Sequence, residues 1–149
     1  MSMNGHSDPY SATIAATATA VPSFTLTPED VKTYMRKVFD VGERRLDAIM
    51  SVIDHAQVRN RYAVVPVDSI VQPRSLEQIS REYQEHAVKL GREAAERCLA
   101  RAAMLPSDID LIITVSCTGF MIPSLDAHLI NLMGFRSNVR RLPITELGC

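Results

Sequence analysis

The run Leu111–Ser116 (Leu-Ile-Ile-Thr-Val-Ser) constrains the fold of this chain more than any other segment. Its apolar residues are nearly continuous, which is typical of a strand covered on both faces, as in a parallel sheet between layers of helices. A loop follows, then Ser124 can cap a helix that ends at Gly134, and residues 139–144 read as a second strand. The order helix, buried strand, loop, helix, strand predicts an α/β fold.

Two helix starts lie upstream of this run. Residues 27–30 (Thr-Pro-Glu-Asp) combine a capping threonine, a proline suited to the first turn and two acids at the positive end of the helix dipole. Gly42 is expected to break that helix, and a second short helix is expected over 43–53. Residues 75–78 (Ser-Leu-Glu-Gln) form a capping box that predicts the longest helix, to about Met104.

The remaining segments have weaker signals. The Ala, Thr and Ile residues of 12–21 favour a strand, residues 61–67 look extended, and residues 1–10 are expected to be a flexible tail. The long helix carries an apolar stripe at steps of three and four, on which Cys98 is expected to be a core residue. That stripe consists of Ile79, Tyr83, Ala87, Leu90, Ala94, Cys98 and Ala102.

The composition argues against several classes of function. A net charge of −1, no Trp and 5% aromatic residues give no basis for a nucleic-acid or membrane partner. No stretch approaches the roughly 20 apolar residues of a membrane span, and residues 1–24 lack the Lys or Arg of a signal peptide. Three cysteines without framework spacing indicate reduced thiols in a cytoplasmic protein. The histidines show no ligand spacing, so no metal is expected.

Two cysteines follow the two predicted strands. Cys117 comes directly after the first strand, and Gly148-Cys149 ends the run that contains the second. Ligand contacts in α/β proteins lie beyond the carboxyl ends of strands, so the two sulfurs would share a pocket if these strands are neighbours. A thiolate at such a turn is a candidate nucleophile. The alternatives stay open: a small residue in a tight turn for Cys117, and an ordinary thiol at an accidental terminus for Cys149.

Several segments together resemble one family. Residues 116–126 (Ser-Cys-Thr-Gly-Phe-Met-Ile-Pro-Ser-Leu-Asp) and 142–149 (Leu-Pro-Ile-Thr-Glu-Leu-Gly-Cys) closely resemble bacterial type III polyketide synthases, the chalcone/stilbene-synthase-like family. Residues 90–95 (Leu-Gly-Arg-Glu-Ala-Ala) and 106–110 (Pro-Ser-Asp-Ile-Asp) support the match. The resemblance extends from about Ala12 to the end of the chain.

The resemblance implies a thiolase-like layered fold, a homodimer and no bound cofactor. It also implies an enzyme that loads an acyl-CoA starter on a cysteine, extends it by decarboxylative condensation with malonyl-CoA, and cyclises the chain. Cys149 falls on the family's catalytic cysteine. Cys117 and Thr118 fall on cavity-lining positions, and Ile122 falls where a side chain reaches towards the partner subunit's cavity.

Family members continue well beyond this cysteine and supply a His and an Asn that activate the thiol and bind the thioester oxyanion. Residues 11–149 are therefore expected to be the N-terminal part of a thiolase-fold domain truncated at Cys149, and the 149 residues alone are expected to be inactive.

The sequence departs from plant-type members at the basic residues that face the phosphates of coenzyme A. Those positions correspond to Ala48, Ser51 and His55, of which only His55 can be cationic. Arg44, Arg45 and Arg59 lie nearby and are expected to substitute, although a solvated helix face is the other interpretation.

Two alternative functions remain on the sequence alone. A ketoacyl-ACP synthase III or a hydroxymethylglutaryl-CoA-synthase-like condensing enzyme also uses a cysteine after such a strand. A non-catalytic fragment or interaction module is the other alternative, because half of a layered fold would expose apolar sheet faces that drive association.

Overall fold

The computed structural model describes residues 11–145. Four strands and five helices lie along this part of the chain, and a 3₁₀ turn lies at Pro106–Asp108. The strands are β1 (Phe24–Leu26), β2 (Arg61–Ala63), β3 (Leu111–Ser116) and β4 (Arg140–Thr145). The helices are α1 (Pro28–Val38), α2 (Glu43–His55), α3 (Val67–Ile70), α4 (Leu76–Ala102) and α5 (Leu125–Met133).

The strands form two separate pairs. β1 and β2 are antiparallel, and β3 and β4 are parallel over their whole length, from Leu111 beside Arg140 to Ser116 beside Thr145. A parallel pair needs a crossover connection, which helix α5 supplies. Helix α5 contacts both strands of the parallel pair, so the carboxyl ends of β3 and β4 meet at one edge.

Helix α5 is held between this sheet and helix α4. Leu129 of α5 is only 4% exposed, and Gly91 of α4 lies where an added Cβ would meet Leu125 and Leu129 at 3.5–3.6 Å. These are ordinary van der Waals distances, so Gly91 lies in the packed contact between the two helices. Gly134 ends α5 at a φ of +70°, a conformation that glycine adopts without strain.

The helix starts predicted from local signals are confirmed, whereas α1 ends at Val38 and not at Gly42, which instead occupies the N-cap position of α2. Thr27 and Ser75 each form a complete capping box with the residue three positions later, and α4 ends within two residues of Met104. Ser124 occupies the N-cap position of α5 as predicted, but its side chain makes no capping hydrogen bond there. It accepts instead from Arg141 Nη2 at 3.1 Å.

Three predictions about strands need correction. Residues 12–21 form no strand with any described segment; they run along α4, where Arg97, Cys98 and Arg101 donate to backbone carbonyls of residues 16–19. The backbone carbonyls of this segment thus accept hydrogen bonds from helix side chains instead of from a neighbouring strand. Cys98, expected in the core, is half-buried in this contact.

The extended segment predicted at 61–67 is shorter than expected, because only Arg61–Ala63 pairs in a sheet and helix α3 begins at Val67. The prediction that Leu111–Ser116 is covered on both faces is wrong for the described residues. Burial alternates along β3, and Leu111, Ile113 and Val115 are 41–63% exposed. Helix α5 covers one face only, and within residues 11–145 nothing buries the other.

Candidate active site

A pocket of about 310 Å³ opens at the carboxyl ends of β3 and β4. It lies between the first two turns of α4 and the loop after β3, with Thr145 of β4 at its edge. None of the side chains that line it is charged, and hydroxyl groups alternate with apolar groups: Leu76, Ile79, Ser80, Tyr83, Ser116, Cys117, Thr118, Gly119, Phe120 and Thr145. Such a lining suits a neutral chain better than an anion.

The predicted cavity residues Cys117 and Thr118 both line this pocket. Ser116 pairs in register with Thr145, so the two strands are neighbours, as the prediction of a shared pocket requires. Cys149 lies outside the described residues, and its role as the nucleophile stays a prediction.

Tyr83 of α4 anchors the loop that carries Cys117 and Thr118. Its hydroxyl is hydrogen-bonded to Ser116 Oγ, which in turn donates to the carbonyl of Gly119 at 3.3 Å. The single hydroxyl hydrogen of Ser116 goes to Gly119, so Tyr83 is the donor in the first bond. The Tyr83 ring lies against Gly119 so closely that any Cβ there would overlap it.

An ion pair with one buried member lies in the first turn of α5, directly after this loop. Asp126 is fully buried, and its carboxylate accepts from Arg141 Nε at 2.5 Å and from Thr114 Oγ1 at 3.3 Å. Arg141 also donates to Ser124, so one guanidinium connects β4 to the start of α5. The pair fixes the strand that leads towards residue 149 against the helix that crosses over it.

Burial and hydrogen bonding shift the pKa of Asp126 in opposite directions. Burial alone raises the pKa of this carboxyl, but hydrogen bonds from Ser124 and Arg141 and the charge of Arg141 outweigh it and hold the pKa below its ordinary value. Asp126 is thus an ionised structural group.

Ile122 does not line the pocket. Its side chain is 81% exposed, and the neighbouring Phe120 is 67% exposed. The loop therefore presents large apolar groups outward, which is compatible with the expectation that Ile122 reaches another subunit.

The candidate coenzyme A residues fall into two places. Arg44 lies in the first turn of α2, whereas His55 is the last residue of that helix, so 11 residues or about 16 Å of helix separate them. Arg59 lies beyond His55 in a surface cleft with Pro28, Ile53 and Asp54. His55 Nδ1 lies 2.7 Å from the carbonyl of Ser51. The three predicted residues thus form no single pocket among the described residues.

Residues 11–145 contain no group of three or more His, Cys, Asp or Glu side chains arranged to hold a metal ion. Within the same range no helix is long and apolar enough to cross a membrane.

Sequence reasoning missed two features of the site. Tyr83 was assigned to the apolar stripe of α4, and its hydroxyl finds a partner 33 residues away. Asp126 was noticed only as part of a motif, and its partner Arg141 is 15 residues away. A carboxylate in the first turn of a mostly apolar helix is the one local signal that Asp126 is buried with a partner.

Comparison with known proteins identifies the family. Residues 2–149 match the family model of chalcone and stilbene synthases, N-terminal domain. The chain belongs to this family.

The relatives are bacterial polyketide synthases. The chain is 38% identical over 138 residues to the 1,3,6,8-tetrahydroxynaphthalene synthase of Streptomyces griseus, covering 93% of the chain and 37% of that protein. It is 35% identical over 105 residues to the phloroglucinol synthase of Pseudomonas fluorescens, covering 70% of the chain and 30% of that protein.

The crystal structure of the Streptomyces coelicolor 1,3,6,8-tetrahydroxynaphthalene synthase, a type III polyketide synthase, superposes with a TM-score of 0.82 at 35% identity, over 90% of this chain and 38% of that one. The predicted α/β class and thiolase-like architecture are confirmed. The chain spans less than two fifths of the length of these proteins.

Proposed function

We propose that this chain is the N-terminal part of a type III polyketide synthase that condenses malonyl-CoA units onto an acyl-CoA starter and cyclises the product. The family membership supports the reaction class. The observation that carries the proposal is the uncharged pocket at the joined ends of β3 and β4, lined by Cys117, Thr118 and Thr145. Only three residues separate Thr145 from Cys149 in the sequence.

Cys149 acts as the nucleophile in this proposal. Its thiolate attacks the thioester carbonyl of the starter, coenzyme A leaves as its thiolate, and the acyl group stays on the cysteine sulfur. Loss of carbon dioxide from malonyl-CoA gives a carbanion that attacks this acyl carbon and releases the cysteine thiolate. The His and Asn that assist these steps in the family are expected after residue 149.

The uncharged lining of the pocket supports this use. A growing chain of alternating carbonyl and methylene groups is neutral, and it offers acceptors to the hydroxyls of Ser80, Thr118 and Thr145. Acyl-CoA and malonyl-CoA are substrates, with no bound metal or cofactor in the reaction.

We further propose a cytoplasmic homodimer in which Ile122 extends into the partner's cavity. The 81% exposure of Ile122 supports this assignment. Arg44, His55 and Arg59 are the proposed coenzyme A contacts; Arg44 and His55 lie at opposite ends of α2 and Arg59 lies beyond it, so they would hold different parts of an extended nucleotide.

The test begins with the intact mass of the purified natural protein, before and after exposure to an acyl-CoA. We expect a mass well above the 16.5 kDa of the 149 residues, and a gain of one acyl group that Cys149→Ser abolishes. Cys98→Ser, which alters a half-buried thiol of α4, is the matched control and should still acylate.

A mass of 16.5 kDa would contradict the proposed catalysis for this chain and leave only its family membership. A larger protein that never acylates, or one that acylates equally as Cys149→Ser, contradicts the proposed nucleophile. Consumption of free malonyl-CoA without a carrier protein distinguishes a polyketide synthase from a ketoacyl-ACP synthase III.

A further inference from the structure

Two attachments bracket the residues Cys117 and Thr118. The first is the hydrogen bond from Tyr83 to Ser116, the last residue of β3, and the second is the contact of the Tyr83 ring with Gly119. Ser116 also donates to the Gly119 carbonyl, which closes the loop on itself. A single side chain therefore holds both ends of the segment that lines the pocket.

The support for this side chain is rigid. Tyr83 lies in the second turn of α4, a 27-residue helix whose start is fixed by the Ser75 capping box. Ser116 pairs with Thr145, so the hydrogen bond from Tyr83 to Ser116 also fixes α4 relative to the end of β4. The position of the loop relative to both strands thus depends on Tyr83.

We propose that Tyr83 is a positioning residue that sets the shape of the acyl pocket, and thereby which acyl chains the protein accepts. This inference rests on the proposed polyketide synthase function for its substrate class. Its ring forms a wall of the pocket, and its hydroxyl holds Cys117 and Thr118 in place. Neither the hydroxyl nor the ring is required to react.

The first experiment compares Tyr83→Phe with wild type in the full-length protein, using acetyl-, butyryl- and hexanoyl-CoA as starters. The phenylalanine keeps the ring and loses one hydrogen bond, so we expect kcat/KM to fall about fivefold. The loss should arise mainly in KM for the starter, and it should differ between the three chain lengths. Tyr62→Phe on β2, outside the pocket, is the matched control.

The second experiment uses the close approach of Tyr83 and Gly119. Gly119→Ala forces a methyl group into the Tyr83 ring and should lower acylation, because overpacking displaces the loop. Adding Tyr83→Ala removes the overlapping atoms but also the anchor of the loop, so the double variant should acylate like Tyr83→Ala alone, without a further loss from Gly119→Ala. A backbone defect at residue 119 unrelated to Tyr83 would instead add to the loss caused by Tyr83→Ala.

A third measurement does not depend on catalysis. Cys117 is exposed, so the rate at which iodoacetamide alkylates it, followed by peptide mass spectrometry, reports on the local geometry of the loop and should change in Tyr83→Phe, where the loop loses one attachment. Cys98, which lies on α4 like Tyr83 but outside the pocket, is the internal reference, and its alkylation rate should not change.

Unchanged starter profiles, additive losses in the double variant and an unchanged ratio of Cys117 to Cys98 alkylation would overturn the inference. If wild type fails to acylate, the proposed function fails, while the alkylation ratio still decides whether Tyr83 holds the loop.

Discussion

At the residue scale, the buried carboxylate of Asp126 is stabilised by its ion pair with Arg141. It is the only buried polar or charged residue within 11–145, and its partner Arg141 is 44% exposed. Removing one member of a buried pair costs more than the pair contributes, because the remaining charge lies out of water. The two members are unequal here, since Arg141 can reach solvent and Asp126 cannot.

We predict that Arg141→Met destabilises the protein by up to about 3–5 kcal/mol at pH 7, because the Asp126 charge is then left buried without its cation. Asp126→Asn should cost less, about 1–3 kcal/mol, because the freed guanidinium can be hydrated. Urea denaturation measures both. The control is Asp110→Asn, which removes an exposed partner of Arg136 and should cost less than about 1 kcal/mol.

The pKa of Asp126 adds a pH dependence to the same prediction. Its pKa is lower in the folded protein than in the unfolded chain, so its ionised form stabilises the fold above the ordinary carboxyl value. That stabilisation is lost as the pH falls below about 4, towards the folded-state pKa. The stability difference between wild type and Asp126→Asn should therefore shrink in acid. A difference independent of pH would contradict an ionised Asp126.

At the element scale, the caps fix where helices begin. Ser75 Oγ accepts from the backbone N–H of Gln78 at 3.2 Å, and Gln78 Oε1 accepts from the N–H of Ser75 at 3.0 Å. Ser75→Ala should cost about 1 kcal/mol in urea denaturation with an unchanged m value, whereas Ser75→Thr should retain most of it. Equal stability of the alanine and threonine variants would argue against the cap.

The same caps explain which elements could be predicted from the sequence. A capping box extends over three residues, so all of its information is in one short window, and α1 and α4 were predicted with their starts. Helix α3 was missed because four residues are too few to show a helical period. Residues 12–21 favoured a strand by composition, but a strand also needs a partner, and the available neighbour was helix α4.

The site was predictable only in part, for the same reason. Cys117 and Thr118 follow a strand directly, and position along a strand is local information. The roles of Tyr83 and Asp126 depend on partners 33 and 15 residues away, which no short window contains. The resemblance to a family points to this loop as functional, but it does not identify Tyr83 as the side chain that anchors the loop.

At the scale of the whole molecule, the described residues leave one face of the parallel sheet bare. Leu111, Ile113, Val115 and Leu142 are 41–63% exposed, while the opposite face lies under α5. Contiguous apolar surface of this kind is normally covered in a stable protein. A parallel sheet in particular is normally covered on both faces.

We therefore predict that a polypeptide of these 149 residues associates with itself, and that sedimentation velocity shows species growing with concentration. Ile113→Thr combined with Val115→Thr should shift the distribution towards monomer, since threonine keeps the strand preference and removes apolar surface. Ile14→Thr is the matched control, because Ile14 is 82% exposed but lies outside the sheet. If the unsubstituted polypeptide stays monomeric at every concentration, or if Ile14→Thr has the same effect, the bare sheet face does not drive association.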